Sequence, residues 1–211
     1  MTAAVFFATR EGHTRRIAEH IAAALRATHV EVDVYDVSRL ATPIDWSRYA
    51  IACVAASVHA GHHEPEMIAF VKRHREDLAR LGAVFLSVTL SEAGAEDPQA
   101  PKERREQAAA DAQRMIDVFI EDTGWRPDRA LPVAGALAYS RYNFIVRFVM
   151  KRIARKAGAP TDTSRDYEFT DWAALDRFVK ETLAPPGAAG PATRLREEPL
   201  EVPYVFDGSQ M

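Results

Sequence analysis

A short apolar run that stops at a hydroxyl-rich turn and continues as an amphipathic stretch is the feature that most constrains this chain. The run Ala3–Ala8 ends at residues 9–14, which read Thr-Arg-Glu-Gly-His-Thr, and Ile17, Ile21 and Leu25 then recur at helical spacing. This pattern predicts a buried strand, a tight turn and a helix. Because a helix N-terminus carries unpaired N–H groups and the positive end of a dipole, Thr hydroxyls placed there can bind a phosphate.

The composition of the turn narrows the kind of phosphate compound. A Walker loop needs a Gly-Lys pair, and a dinucleotide fingerprint needs three glycines, whereas this turn has one glycine, Gly12, and no lysine. No acidic residue is placed to hold magnesium, so a monophosphate ester is the predicted ligand, with Glu11 pointing away from it. A plain helix N-cap at Thr14 explains the same residues, and the turn alone leaves its function open.

Strand and helix patterns alternate along the chain, which predicts an α/β fold with a doubly wound, five-stranded parallel sheet and helices on both faces. The predicted strands lie at 3–8, 30–35, 50–56, 83–88 and 131–137, and the helices near 14–28, 65–79, 103–123, 142–157 and 171–184. We expect one domain over 1–184, with a long connection at 91–102 and a long insertion at about 139–169. Residues 185–211 are rich in Pro, Gly and Ala, which predicts a flexible extension.

Composition excludes several functional classes. The 211 residues carry a formal net charge of −3, which gives no general attraction to nucleic acid. The single cysteine, Cys53, lies in an apolar run, which predicts a buried thiol in a reducing compartment. No apolar run approaches the roughly 20 residues that span a bilayer, and no leader pattern opens the sequence, so we expect a cytoplasmic protein.

Two further strand ends carry polar and small residues. The third predicted strand ends in Ser57-Val58-His59-Ala60-Gly61, and the fourth ends in Ser87-Val88-Thr89-Leu90. Carboxyl ends of parallel strands share one edge of a sheet, so both segments should meet the first turn. Three such loops resemble those of the flavodoxin family. The resemblance implies FMN as cofactor, its phosphate bound by Thr9, Arg10, Glu11, Gly12, His13 and Thr14 and its ring by the other two loops.

Three histidines, His59, His62 and His63, cluster after the third predicted strand. A metal site would need carboxylate or thiolate partners at suitable spacing. None is evident in the sequence, so we predict no bound metal. The two remaining hypotheses are contact with the flavin ring and a solvated turn.

A closer resemblance extends over most of the chain. Residues 9–14, 55–62, 124–129, 134–142, 161–163 and 169–172 are similar to the flavodoxin-type protoporphyrinogen IX dehydrogenases. That resemblance implies FMN-dependent oxidation of protoporphyrinogen IX to protoporphyrin IX in haem biosynthesis. It also implies a membrane quinone as electron acceptor and a peripheral location on the cytoplasmic side of the inner membrane. The chain differs from the family at 91–114 and after 185, where it is longer.

The alternative is a soluble flavodoxin-type electron carrier, which is disfavoured because such carriers dock through acidic surfaces. No side chain stands out as an obligatory acid or base, and the sequence leaves open whether the protein forms a homo-oligomer.

Residues 141–157 hold six cationic residues and no acidic residue. This stretch predicts an interfacial helix against anionic lipid, or a surface that attracts porphyrin propionates. The alternative is a surface helix whose basic stems cover Phe rings. The candidate contact residues are Arg141, Phe144, Arg147, Phe148, Lys151, Arg152 and Arg155.

Overall fold

A computed structural model describes residues 1–141, Phe148 and 162–183. Five parallel strands form its main sheet: β1 (Thr2–Ala8), β2 (Glu31–Asp36), β3 (Tyr49–His59), β5 (Gly82–Thr89) and β6 (Arg129–Ala134). Their order is β2-β1-β3-β5-β6, which confirms the predicted doubly wound α/β fold. The two-residue strand β4 (His62–His63) pairs antiparallel with the end of β3.

The helices lie on both faces of this sheet. They are α1 (His13–Arg26), α2 (Pro65–Arg73), α3 (Arg75–Leu78), α4 (Leu90–Ala95), α5 (Lys102–Thr123) and α6 (Trp172–Phe178), which continues as a π-helical turn at Val179–Leu183. Short 3₁₀ turns occur at Val37–Arg39, Trp46–Arg48 and Tyr139–Arg141. Among the described residues, no helix is both long and apolar enough to cross a membrane.

Strand β3 separates two hydrophobic cores, and this explains its continuous apolar sequence. Successive side chains of a strand point to opposite faces. Cys53 and Ala55 therefore join the core under α1 and α6, while Ala52 and Val54 join the core under α2 and α5. Burial raises the pKa of the Cys53 thiol to about 12, in agreement with the predicted core position.

Apolar periodicity positions α1 against the sheet. Ile17, Ile21 and Leu25 are fully buried, as their spacing predicts. Burying each such side chain contributes about 1.5–3 kcal/mol. On the other face, the rings of Phe85 and Phe119 stack with centroids 4.1 Å apart and tie α5 to β5. The carboxyl ends of the strands are thereby held at one edge, where Ala8 pairs with Ala56 and Thr89 with Ala134.

The fifth strand is shorter than predicted. It ends at Ala134, and residues 136–137 form a separate strand, β7 (Ala136–Leu137), which pairs antiparallel with β8 (Tyr167–Glu168). Gly135 makes the break: its N–H donates to the Thr89 carbonyl over 3.1 Å, and its own carbonyl accepts from the Phe169 N–H over 3.1 Å. The apolar run is continuous in sequence, but its backbone hydrogen bonds change partner at this glycine.

Two segments predicted as open loops have regular structure. The connection at 91–102 begins inside helix α4, whose N-cap Thr89 accepts a hydrogen bond from the Ser91 N–H. Residues 57–63 include the β3–β4 hairpin, which turns at Ala60 and Gly61 with φ of 50° and 83°. Two positive φ angles fit the twist of a two-residue hairpin turn. Apart from Phe148, which is exposed, the predicted helix at 142–157 lies outside the described residues. The same holds for the extension 185–211 and for the lipid-contact candidates Phe144, Arg147, Lys151, Arg152 and Arg155.

Candidate functional site

The turn between β1 and α1 has the form of an anion-binding cradle. Gly12 is the N-cap of α1, with φ of 89°, and its N–H donates to Thr9 Oγ1 over 2.9 Å. The Arg16 N–H is bonded to the Gly12 carbonyl, so the N–H groups of residues 13–15 precede the first hydrogen-bonded turn. No side chain in the described part of the chain caps this helix.

Thr14 is the most informative residue of this cradle. Its side chain is buried, and Oγ1 has no hydrogen-bond partner within the described residues. The N-cap explanation for Thr14 is wrong, because Gly12 occupies that position and Thr14 lies inside the helix. A buried, unsatisfied hydroxyl costs about 1–3 kcal/mol. A phosphate oxygen at the helix N-terminus would satisfy both this hydroxyl and the unpaired N–H groups, so the residues present fit a phosphate ester.

A cleft extends from this cradle along the carboxyl edge of the sheet. Four chain segments line it: Thr9, Glu11, His13 and Thr14; Ser57, Val58 and His59; Val88, Thr89 and Leu90; Gly135, Ala136 and Ala138. The three predicted loops therefore converge, although their binding of a cofactor stays a prediction. The fourth segment, 135–138, was not predicted as part of the site, although residues 134–142 contribute to the family resemblance. Its Gly and Ala side chains are small, and small apolar residues leave room for a planar ring.

Five of the predicted cofactor residues lie outside the lining of this cleft: Arg10, Gly12, Ala60, Gly61 and Ser87. Gly12 still shapes the cradle through its N-cap conformation. Ser87 is fully buried, and its Oγ lies 3.0 Å from His63 Nε2.

A group of ionisable side chains closes the β3 side of the cleft. His59 Nε2 lies 3.1 Å from Glu11 Oε2 and 3.5 Å from Glu64 Oε1. The Ser57 hydroxyl donates to Glu64 Oε1. Only 3% of the Glu64 side chain is exposed, and burial raises the pKa of its carboxyl. Glu11 thus pairs with His59. The sequence did not predict Glu64 as a site residue. The one local feature that marks it is its position just before Pro65, at the start of α2.

His13 anchors the start of α1 to the C-terminal segment. Its Nε2 lies 2.7 Å from Thr170 Oγ1, and that hydroxyl donates to the Ala134 carbonyl over 2.6 Å. A hydroxyl has one proton to donate, so His13 Nε2 must be the donor toward Thr170. Burial lowers the pKa of His13 and so favours its neutral form, with the proton on Nε2.

The side chains of His59, His62 and His63 do not point toward a common site. His62 and His63 are successive residues of β4 and point to opposite faces, so His62 is exposed and His63 is buried against Phe85 and Phe119. Burial lowers the pKa of His63 to about 4. Within the described ranges, no group of three His, Cys, Asp or Glu side chains is placed to hold a metal ion.

An anion-binding cradle at the switch point of a β2-β1-β3-β5-β6 sheet defines a flavodoxin-like domain. The family model for a flavodoxin domain matches residues 4–164. Protoporphyrinogen IX dehydrogenase [quinone] of Escherichia coli strain K12 is 34% identical over 181 residues, which cover 86% of this chain and 94% of that protein. The protein of the same name from Leishmania major is 30% identical over 193 residues, 89% of this chain and 77% of that protein. The chain therefore belongs to the flavodoxin-type protoporphyrinogen IX dehydrogenase family.

Among solved structures, oxidised Flavodoxin 1 from Bacillus cereus is similar with a TM-score of 0.49 and 16% identity. The match covers 87% of this chain and 97% of the flavodoxin.

Proposed function

We propose that this protein is an FMN-dependent dehydrogenase that oxidises protoporphyrinogen IX to protoporphyrin IX and passes the electrons to a membrane quinone. The names of the bacterial and protozoan relatives support the substrate and the acceptor, because each match extends over most of both chains. The reaction is a step of haem biosynthesis. A soluble electron carrier would share the cofactor but not the substrate.

The Thr14 hydroxyl, which has no partner among the described residues, is the observation that carries the choice of FMN. A single phosphate would accept hydrogen bonds from this hydroxyl, from Thr9 and from the N–H groups at the start of α1. The ring would lie between the 57–59 and 88–90 segments, beside the small residues 135–138 that complete the cleft. When bound, FMN supplies two-electron redox chemistry, while the protein binds and orients it.

An anaerobic assay tests this proposal directly. Protein purified with FMN should show a flavin absorption spectrum, and adding protoporphyrinogen IX with a quinone should generate porphyrin fluorescence. A parallel reaction without protein corrects for spontaneous oxidation of the substrate. A flavin spectrum without enzyme-dependent fluorescence would favour the electron carrier. Protein that acquires no flavin spectrum even with added FMN would exclude both functions.

We further propose that residues 141–155 bring the protein to the cytoplasmic face of the inner membrane. Each cation near an anionic surface contributes about 1 kcal/mol of binding. The triple substitution of Arg147, Lys151 and Arg155 by Glu should therefore abolish flotation with vesicles rich in anionic lipid. The same change at the exposed Lys102, Arg104 and Arg105 of α5 is the matched control and should leave flotation intact. Equal losses in both variants would contradict the assignment.

A further inference from the structure

The ionisable group at the end of β3 has a geometry that its packing role does not require. His59 lines the cleft, and its Nε2 contacts the carboxylate of Glu11 from the β1–α1 turn and that of Glu64 from the start of α2. The second oxygen of Glu64, Oε2, is buried and has no hydrogen-bond partner within the described residues. A buried carboxyl with only one oxygen in hydrogen bonds to the described residues is costly, and its position beside an imidazole points to an electrostatic role.

The contacts fix which nitrogen of His59 is basic. Ionised carboxylates accept hydrogen bonds and cannot donate them, so Nε2, which faces Glu11 and Glu64, carries the proton in the neutral ring. The free electron pair is then on Nδ1. About a quarter of the His59 side chain is exposed (25%), so this ring can exchange protons with water as well as with a molecule in the cleft.

Two carboxylates face the Nε2 side of the His59 ring. Glu11 and Glu64 place two carboxylates within 3.5 Å of His59 Nε2. Ser57 donates a hydrogen bond to Glu64. The positive charge of Arg10, in the β1–α1 turn, favours the ionised form of the same carboxyl. Carboxylates at this distance stabilise an imidazolium most strongly where water is partly excluded.

We propose that His59 is the proton acceptor of the dehydrogenation, while Glu11 and Glu64 fix its tautomer and stabilise its imidazolium form. This inference rests on the proposed function. Three two-electron steps remove six hydrogens from the porphyrinogen, four from methylene carbons and two from pyrrole nitrogens. In each step one hydrogen leaves a methylene carbon with its bonding electron pair, for which bound FMN would be the acceptor. In two of the steps a second hydrogen leaves a pyrrole nitrogen as a proton and forms an N–H bond at His59 Nδ1; in the remaining step the proton leaves the last methylene carbon. The electron pair of the bond that loses the proton stays on the substrate in the new conjugated double bonds. The proton then passes from His59 to water, and the quinone would be the final acceptor of the electrons.

The substitution His59→Gln tests this role, because Gln keeps an N–H donor for Glu11 but cannot accept the proton. We expect kcat to fall about 10²- to 10⁴-fold, the usual contribution of a general base. FMN affinity, measured by flavin fluorescence, should fall by far less than kcat, because the other three segments that line the cleft are unchanged. The acid limb of the kcat–pH profile should disappear, and added imidazole should partly restore the activity of His59→Ala. The matched control is His20→Gln, which removes an imidazole paired with Asp176 outside the cleft and should keep wild-type kcat.

A second readout does not depend on turnover. In FMN-bound wild-type protein, the ¹⁵N chemical shifts of neutral His59 should show the proton on Nε2 and not on Nδ1. A proton on Nδ1, wild-type kcat in His59→Gln, or a loss of FMN that parallels the loss of rate would each overturn the inference. Wild-type protein that binds FMN but does not oxidise protoporphyrinogen IX would instead refute the proposed function, and this inference with it.

Discussion

Replacing Thr14 by Val should stabilise the FMN-free protein and weaken FMN binding at the same time. Valine has the shape of threonine without the hydroxyl. In the FMN-free protein it removes a buried oxygen that has no partner among the described residues. In the complex it removes a hydrogen bond to the phosphate. The two effects have opposite signs, and a purely structural role for Thr14 does not predict this combination.

Both magnitudes follow from the burial of this side chain. Thr14 is only 1% exposed, so its unsatisfied hydroxyl is fully desolvated. Its removal should raise the free energy of unfolding of the FMN-free protein by about 1–3 kcal/mol. A hydrogen bond to a charged phosphate contributes about 1.5–3 kcal/mol, so the FMN Kd should rise about 10- to 100-fold at 1.4 kcal/mol per factor of ten.

Urea unfolding of the FMN-free protein measures the first quantity, and quenching of flavin fluorescence measures the second. Thr123→Val is the matched control. Thr123 is equally buried, but its hydroxyl donates to the Phe119 carbonyl over 2.7 Å. This control should lower the free energy of unfolding and leave the Kd unchanged. A destabilised Thr14→Val protein, or one with wild-type FMN affinity, would refute the assignment of this hydroxyl to the phosphate.

Three further predictions concern stability and reactivity. The pKa of His63 is lowered to about 4, below the ordinary 6.5. The unfolded chain therefore takes up the proton first, and stability should fall by up to about 3 kcal/mol between pH 6.5 and pH 4 in urea titrations, less steeply in His63→Gln. Ala60→Gly should raise the free energy of unfolding by up to about 1 kcal/mol, because Ala60 has φ of 50°. Cys53, buried with a pKa of about 12, should react with thiol reagents only at the rate of unfolding.

Each of these predictions has an opposing result. Equal pH dependence in wild type and His63→Gln would show that another group controls acid stability. A less stable Ala60→Gly protein would mean that the turn is not strained. Fast labelling of Cys53 in the folded protein would contradict its central place in the sheet.

The sequence predicted the sheet well because its signals are local. The run 50–56 is apolar at every position, and residues 52–56 of β3 are buried on both faces of the sheet. The predicted strand at 30–35 is also present as β2, which is partly buried and lies at the sheet edge. The turn at 9–14 was placed correctly, because a strand end, a glycine and a helical repeat follow one another directly.

The rest of the site depends on pairs that are distant in sequence. His13 meets Thr170, which is 157 positions away, and nothing in either local sequence marks the other. Glu64 looked like an ordinary residue before a helical proline, and its burial beside His59 follows from the β3–β4 hairpin. That hairpin turns at Ala60 and Gly61, and alanine is not a residue that signals a positive φ angle.

The break at Gly135 has a consequence for how this protein can change. Because β7 leaves the parallel sheet and pairs with β8, the two ends of the segment 138–166 are held side by side, independently of the main sheet. Ser140 connects the two ends a second time, because its N–H and its hydroxyl both donate hydrogen bonds to the Asp166 carboxylate. Closing a longer or shorter loop across fixed ends changes its entropy only slowly with length. The length and chemistry of the chain between these two ends can therefore vary without disturbing the core that holds the cradle.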